Sequence, residues 1–238
     1  MANIQQKTVG RSTLLLTTDL LPEITVEMFD IAHWQAHDKV IGQASGRGTT
    51  FFFRENQHEY VLRHYRRGGL IGKLIADQYL YTGVTQTRAY REMHLLDYMC
   101  AQNLNVPKPV AARIARQGLT YCADIILQKI PQATDVFSLL LSKTLEPSIW
   151  LGIGQAIRQL HDHQIYHHDL NIHNIMLDGH DKVWIIDFDK CGIREGESWK
   201  NDNLQRLLRS LQKESARQAR FTWTLQDWQH LLLGYQPV

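Results

Sequence analysis

The sequence predicts an α+β chain with a sheet-rich first part and a helical second part. Three observations carry that expectation. Aromatic and β-branched runs separated by glycine turns fill residues 39–65. Apolar residues at spacings of 3 and 4 take over at residues 87–102 and again after Pro147. The chain has 238 residues, enough for one large domain or two lobes with real cores.

The elements follow in order. Lys39, Val40, Ile41 and Gly42 lead into a turn-rich stretch, residues 44–48, and then into Thr49, Thr50, Phe51, Phe52 and Phe53. Strand, glycine turn and strand is a hairpin pattern. Residues 59–65 form a third candidate strand that ends at the loop Arg66, Arg67, Gly68, Gly69. Ala89, Met93, Leu96 and Met99 mark a helix over 87–102, broken by the two prolines at 107 and 109. Residues 110–114 and 121–127 read as two more strands around Gln117-Gly118, and residues 128–131 as a connector. The domain division expected is 1–130 and 131–238. In the second part, Pro147 starts a helix with the stripe Ile149, Ile153, Ile157, Leu160. A turn at residues 178–181 precedes a short buried strand, Val183 to Ile186, and residues 203–220 and 225–233 are helical.

Composition narrows the class. Hydrophobic residues make up 44% and charged residues 21%, which excludes disorder and low complexity. The formal charge of +2 excludes a bulk nucleic-acid binder. Cys100, Cys122 and Cys191 are too widely spaced for a disulfide framework or a cysteine zinc site. No run is long and apolar enough to span a bilayer, and the first ten residues lack the apolar core of a signal peptide.

Five of the twelve histidines fall between His161 and His173. Within that cluster, residues 167–177 read H-x-D-x-x-x-x-N followed by apolar residues, and Asp187-Phe188-Asp189 follows at a short distance. Phosphoryl transfer needs positioning and charge neutralisation more than covalent chemistry. Asp187 and Asn174 offer oxygens suited to Mg²⁺. Asp169 can accept the proton of an attacking hydroxyl. A hairpin over residues 175–186 would bring all three to one end. A rival reading takes His161, His163, His167, His168 and Asp169 as ligands of a metal-dependent phosphohydrolase.

The order of glycine hairpin, third strand, helix, connector, H-x-D loop and D-F-x element resembles the protein-kinase-like fold across residues 39–190. Residues 63–70, the His167-His168-Asp169 loop, residues 199–204 and residues 209–211 resemble, more narrowly, the bacterial lipopolysaccharide kinases. The resemblance implies a bilobal fold, with an antiparallel sheet-rich N-lobe and a small helical C-lobe. It implies transfer of the γ-phosphate of ATP, with Mg²⁺, to a hydroxyl of the sugar 3-deoxy-D-manno-octulosonic acid (Kdo). The family preference is the 4-hydroxyl, on a lipid A precursor. The implied location is the cytoplasmic face of the bacterial inner membrane, held peripherally, with neither nucleic acid nor protein as substrate.

By position, the resemblance puts Gly46 and Gly48 over the ATP phosphates and pairs Arg63 with Glu92. Gln128 to Ile130 then meets the adenine through backbone groups. Arg63 stands where most kinases have Lys, Asp189 where D-F-G has Gly, and Asn171 where protein kinases place a Lys after the catalytic Asp. No A-P-E-like segment follows. A kinase for another hydroxyl acceptor (a heptose, an amino sugar, a choline-like alcohol) and a nucleotide-binding pseudoenzyme are the alternatives.

Helical geometry adds one more expectation. Leu204, Leu207, Leu208 and Leu211 share a face, and Arg206, Arg209, Lys213, Arg217 and Arg220 cluster opposite. With Arg66, Arg67 and Lys73, they form basic groups suited to an anionic membrane surface or to acceptor phosphates.

Overall fold

A computed structural model describes residues 4–17, 20–21, 23–45, 49–66 and 77–237, without the side chains of Ser45 and Thr49. The chain divides into two compact units, residues 1–101 with 107–129, and residues 102–106 with 130–238. The short segment after the helix of residues 88–101 thus groups with the second unit, away from its sequence neighbours. Its Asn105 carbonyl accepts from the Ile185 N–H.

The first unit is an eight-stranded antiparallel sheet. Its strands are β1 (Gln5–Val9), β2 (Ser12–Leu16), β3 (Val40–Ser45), β4 (Thr49–Glu55), β5 (His58–His64), β6 (Tyr79–Leu80), β7 (Pro109–Gln117) and β8 (Thr120–Gln128). The order is β1-β2-β7-β8-β5-β4-β3, with β6 also on β8. The strands expected at 49–53, 59–65, 110–114 and 121–127 are all present, each somewhat longer or shifted by a residue. The turn-rich stretch begins later than its composition suggests, because β3 continues to Ser45 in register with Thr49.

Among the described residues, two α-helices belong to this unit: α1 (Ile31–Ala36) and α2 (Arg88–Ala101). Sequence reading assigned nothing to residues 1–38, yet they build β1, β2 and α1. The reason is tertiary. On α1, Trp34 stacks on Phe53 at 3.8 Å, and Phe53 lies 5.2 Å from Tyr60. Its indole N–H donates to the Met28 carbonyl. Leu14, Phe29, Leu62, Val110 and Ile126 complete this core. On α2 the stripe Ala89, Met93, Leu96, Met99 is buried, as its spacing predicts.

The second unit contains α3 (Val136–Leu140), α4 (Pro147–Asp162), α5 (Ser198–Arg217) and α6 (Leu225–Tyr235). Between them run β9 (Thr134–Asp135), β10 (Ile165–Tyr166), β11 (Ile175–Leu177), β12 (Val183–Ile185) and β13 (Gly192–Ile193). The sheet order β12-β11-β9 and the pair β10-β13 are both antiparallel. Pro147 opens α4, where its missing N–H costs nothing. Helix α5 starts earlier than expected and ends at Arg217; Gln218 is extended, so Arg220 lies in the following turn and off the helix face. Beyond it, Thr222 donates to the Leu140 and Lys143 carbonyls, which fixes the chain in a direction the helix could not follow.

Helices α4 and α6 meet backbone to backbone. A Cβ on Gly154 would overlap the Leu231 carbonyl oxygen, and one on Gly234 would overlap that of Leu151. Only glycine fits at either position. Beside the crossing, His161 is buried. Its Nε2–H donates to Asn203 Oδ1 at 3.1 Å, and its Nδ1 accepts from the Tyr235 hydroxyl at 2.7 Å. The imidazole is therefore neutral and ties α4 to both α5 and α6.

Two outcomes are expected. Gly154→Ala and Gly234→Ala should each lower stability by about 1–3 kcal/mol through overpacking, read as a drop in thermal midpoint. Gly152→Ala on the same helix, where a Cβ meets only Val183 Cγ2 at 3.5 Å, should be neutral or stabilising. Burial holds the His161 pKa down to about 4 from its ordinary 6.5. The unfolded chain therefore takes up a proton that the folded state refuses. Stability is complete above the unfolded value and is lost as pH falls from 6.5 toward 4, by about 2–3 kcal/mol at pH 4.5. Urea unfolding at pH 7.5 and 4.5 should show a smaller loss in His161→Gln than in the parent.

Candidate active site

The second unit carries the loop from His167 to Asn174. His167 is fully buried. Its Nε2–H donates to the Ile186 carbonyl at 3.0 Å, and its Nδ1 accepts the Asp169 N–H at 3.3 Å. Both bonds together require the neutral ring, and burial pushes the His167 pKa down accordingly. The ring packs edge-on against Phe188, centroids 5.0 Å apart, and Phe188 is itself buried. One imidazole thus fixes the loop backbone at Asp169 and the strand end just before Asp187.

The β11–β12 hairpin closes the arrangement. Ile175 pairs with Ile185, and the Ile186 N–H donates to the Asn174 carbonyl. Asn174 and Asp187 therefore sit at the same end of the hairpin. Asn174 Nδ2 donates to the Asp169 carbonyl at 2.9 Å, and Asn171 Nδ2 donates to the same oxygen at 3.0 Å. The structure thus brings Asp169, Asn174 and Asp187 together at one end, as their spacing suggests. Asp187 has φ +64, a left-handed conformation that Asp adopts more easily than most residues. The turn after it is held by the Cys191 N–H on the Phe188 carbonyl, and the Cys191 sulfur accepts from the His168 N–H.

The donor set fits a hard divalent cation. Asp187 supplies a carboxylate, and Asn174 an amide whose nitrogen is already spent on Asp169, leaving its oxygen as the ligand atom. Among the described residues, no group of three or more His, Cys, Asp or Glu side chains is placed to hold a metal. A cation that keeps waters and takes substrate phosphates, as Mg²⁺ does, needs no more than two such ligands. The phosphohydrolase reading fails on geometry. Both ring nitrogens of His161 and of His167 are occupied by hydrogen bonds within the fold.

In the first unit, Arg63 on β5 donates through Nη2 to both oxygens of Glu92 on α2, at 2.5 and 2.6 Å. The expected pair is present. Glu92 is 2% exposed, and the Tyr65 hydroxyl also donates to it at 2.7 Å. Arg63 and Tyr65 share a strand face two residues apart, which lets both reach the helix. Two hydrogen-bonded partners offset the cost of burying the carboxylate. At the end of β8, the Gln128 N–H donates to the Lys108 carbonyl and the Lys129 N–H to the Glu59 carbonyl. Those two donors are committed to the sheet, and Ile130, which is buried, begins the second unit. Gly46, Gly48, Arg67 and Lys73 lie outside the described residues.

Sequence reasoning placed Arg206 only among the cations of a basic helix face and gave no role to Asn203, Tyr65 or Cys191. Asn203 Nδ2 donates to the His167 carbonyl at 2.7 Å while its Oδ1 accepts from His161. Its signal was a polar residue set among the buried Trp199, Leu204 and Leu207 of α5. Arg206 Nη1 donates to Asp169 Oδ1 at 3.2 Å. Nothing local in the sequence marks that pair, because 37 residues separate its members.

Comparison with known proteins gives this geometry its setting. The family described as lipopolysaccharide kinase (Kdo/WaaP) matches residues 31–235. A protein of Vibrio cholerae named 3-deoxy-D-manno-octulosonic acid kinase is 49% identical over 81% of this chain and 82% of its own. Proteins of the same name from Photobacterium profundum (48% identical, 92% of each chain) and Haemophilus influenzae (43%, covering 98% and 99%) are similar over nearly their whole lengths. The solved structure titled "WaaP in complex with acyl carrier protein" matches with a TM-score of 0.56 at 16% identity, over 86% of this chain and 83% of that one. That likeness bears on the fold alone, and it agrees with the α+β, kinase-like architecture. An H-x-D loop beside the β11–β12 hairpin, and relatives that match over most of their length at this identity, lead to one conclusion: the chain belongs to the lipopolysaccharide kinase (Kdo/WaaP) family and is a phosphotransferase with an alcohol acceptor.

Proposed function

We propose that the protein transfers the γ-phosphoryl group of ATP, with Mg²⁺, to the 4-hydroxyl of Kdo on a lipid A precursor. The observation that carries this reading is the convergence of Asp169, Asn174 and Asp187 at one end of the β11–β12 hairpin. The names of the relatives supply the sugar.

The chain's own residues divide the chemistry. Asp169 accepts the proton of the acceptor hydroxyl as its oxygen bonds to the γ-phosphorus and the bond to the β-phosphate bridging oxygen breaks, releasing ADP. Asn174 and Asp187 hold the cation, which when bound neutralises phosphate charge. The His167 bridge keeps Asp169 in place while this happens. Arg63, fixed by Glu92, presents a guanidinium able to take phosphate oxygens. By resemblance to the family, the phosphates are assigned to Gly46 and Gly48, which lie outside the described residues, and the adenine to backbone groups of residues 128–130.

The acceptor is a lipid, so the enzyme works at the cytoplasmic face of the inner membrane. Among the described residues, no helix is long and apolar enough to cross a membrane. Attachment is peripheral in this reading, through Arg209, Lys213 and Arg217 on α5 and Arg220 just beyond it, all exposed.

Labelled ATP and a defined Kdo-bearing lipid, with product mapping of the hydroxyl, test the reaction. Asp169→Asn should lower turnover by about 10²–10⁴-fold with ATP binding intact. Undiminished transfer by that variant would remove Asp169 from its role. Asp187→Asn should raise the Mg²⁺ requirement and lower kcat. Binding to anionic vesicles should weaken with salt and with Glu substitutions at Arg209, Lys213 and Arg217; salt-independent binding would refute the peripheral attachment.

A further inference from the structure

Arg206 occupies an unusual place for a cation. Its Nη1 donates to Asp169 Oδ1 at 3.2 Å, and the two side chains are 42% and 41% exposed. Four residues back on α5, the exposed Asp202 offers an intrahelical partner, yet the guanidinium turns to Asp169. A pair this exposed adds at most about 1 kcal/mol to stability. The arrangement makes chemical sense when an anion arrives beside Asp169.

The loop supplies no cation of its own for that anion. Asn171 stands two residues after Asp169, and both ends of its amide are occupied: Nδ2 on the Asp169 carbonyl, Oδ1 on the His173 N–H. The guanidinium has five N–H donors in a planar fork. Asp169 is its one partner among the described residues, and the side chain is nearly half exposed.

We infer that Arg206 binds the carboxylate of the acidic sugar while Asp169 takes the proton of its hydroxyl. The inference rests on the acceptor proposed above, an octulosonic acid, which carries a carboxylate on the same sugar as the reacting hydroxyl. Guanidinium and carboxylate match as a two-bond fork. Asp169 alone would repel that carboxylate; Arg206 beside it cancels the repulsion and sets which hydroxyl faces the base. The same helix extends the subsite. Arg209, Lys213 and Arg217 follow Arg206 at i+3, i+7 and i+11, within about 80° of one another and over about 16 Å of helix. All three are exposed. Further negative groups of a lipid-linked acceptor would lie along that stripe.

The test compares two acceptors, the Kdo-bearing lipid with its carboxylate free and the same lipid as its carboxyl methyl ester. The wild type should favour the free acid by about 10–100-fold in kcat/KM, the range of a hydrogen-bonded charge pair. Arg206→Ala should lose that preference, with the loss in acceptor KM and the KM for ATP unchanged. Arg206→Lys, which keeps the charge without the fork, should fall between. Equal losses on acid and ester, or a raised KM for ATP, would overturn the inference and assign Arg206 to the transferred phosphate. A wild type that phosphorylates both acceptors equally well would refute the carboxylate role alone. A wild type that phosphorylates neither would refute the proposed reaction itself.

Discussion

The neutral ring of His167 is the constraint on which the loop from His167 to Asn174 depends. It donates to one backbone carbonyl and accepts from one backbone N–H, so it joins the strand end before Asp187 to the backbone of Asp169. Only an uncharged imidazole can make both bonds, and burial, which pushes the His167 pKa down, favours that state. The buried Phe188 ring packs edge-on against it. Asn203 then holds the His167 carbonyl and passes the constraint to His161, Tyr235 and three helices. A continuous set of hydrogen bonds therefore runs from the helical core to the backbone of Asp169.

A second constraint on that core is steric. Helices α4 and α6 approach so closely at Gly154 and Gly234 that neither position has room for a methyl group. Close backbone contact limits sliding and rotation, so Tyr235 on α6 arrives at His161 on α4 in a fixed register. The first unit uses a different device. Its buried Glu92 would be unfavourable alone, and Arg63 and Tyr65 satisfy it from one strand face. That carboxylate is thus a fixed anchor for Arg63, and the guanidinium is oriented before any substrate binds.

The near-neutral total charge hides an uneven distribution. Basic side chains on α5 form a stripe that begins at Asp169, while Glu214 on the same helix is turned inward to His173. Positive charge is therefore concentrated on one helix face beside Asp169 without a strongly basic sequence. Electrostatic guidance of this kind acts through local fields, to which a net charge is blind.

The sequence alone determined what short-range chemistry can express. Strand alternation, the helical stripe from Ala89 to Met99, the proline at the start of α4, and the joint H-x-D and D-F-x spacing are all local patterns, and each corresponds to an element in the structure. The pairing of Arg63 with Glu92 was legible only through likeness to a family. The role of residues 1–38 was not legible, because Trp34 acquires its purpose from Phe53, a strand away. Asn203 and Arg206 were visible as a polar residue in an apolar stripe and as one more surface cation. Only the tertiary structure set them against His167 and Asp169, because hydrogen-bond partners some 36 residues apart are chosen by how helices pack and not by their spacing along the chain.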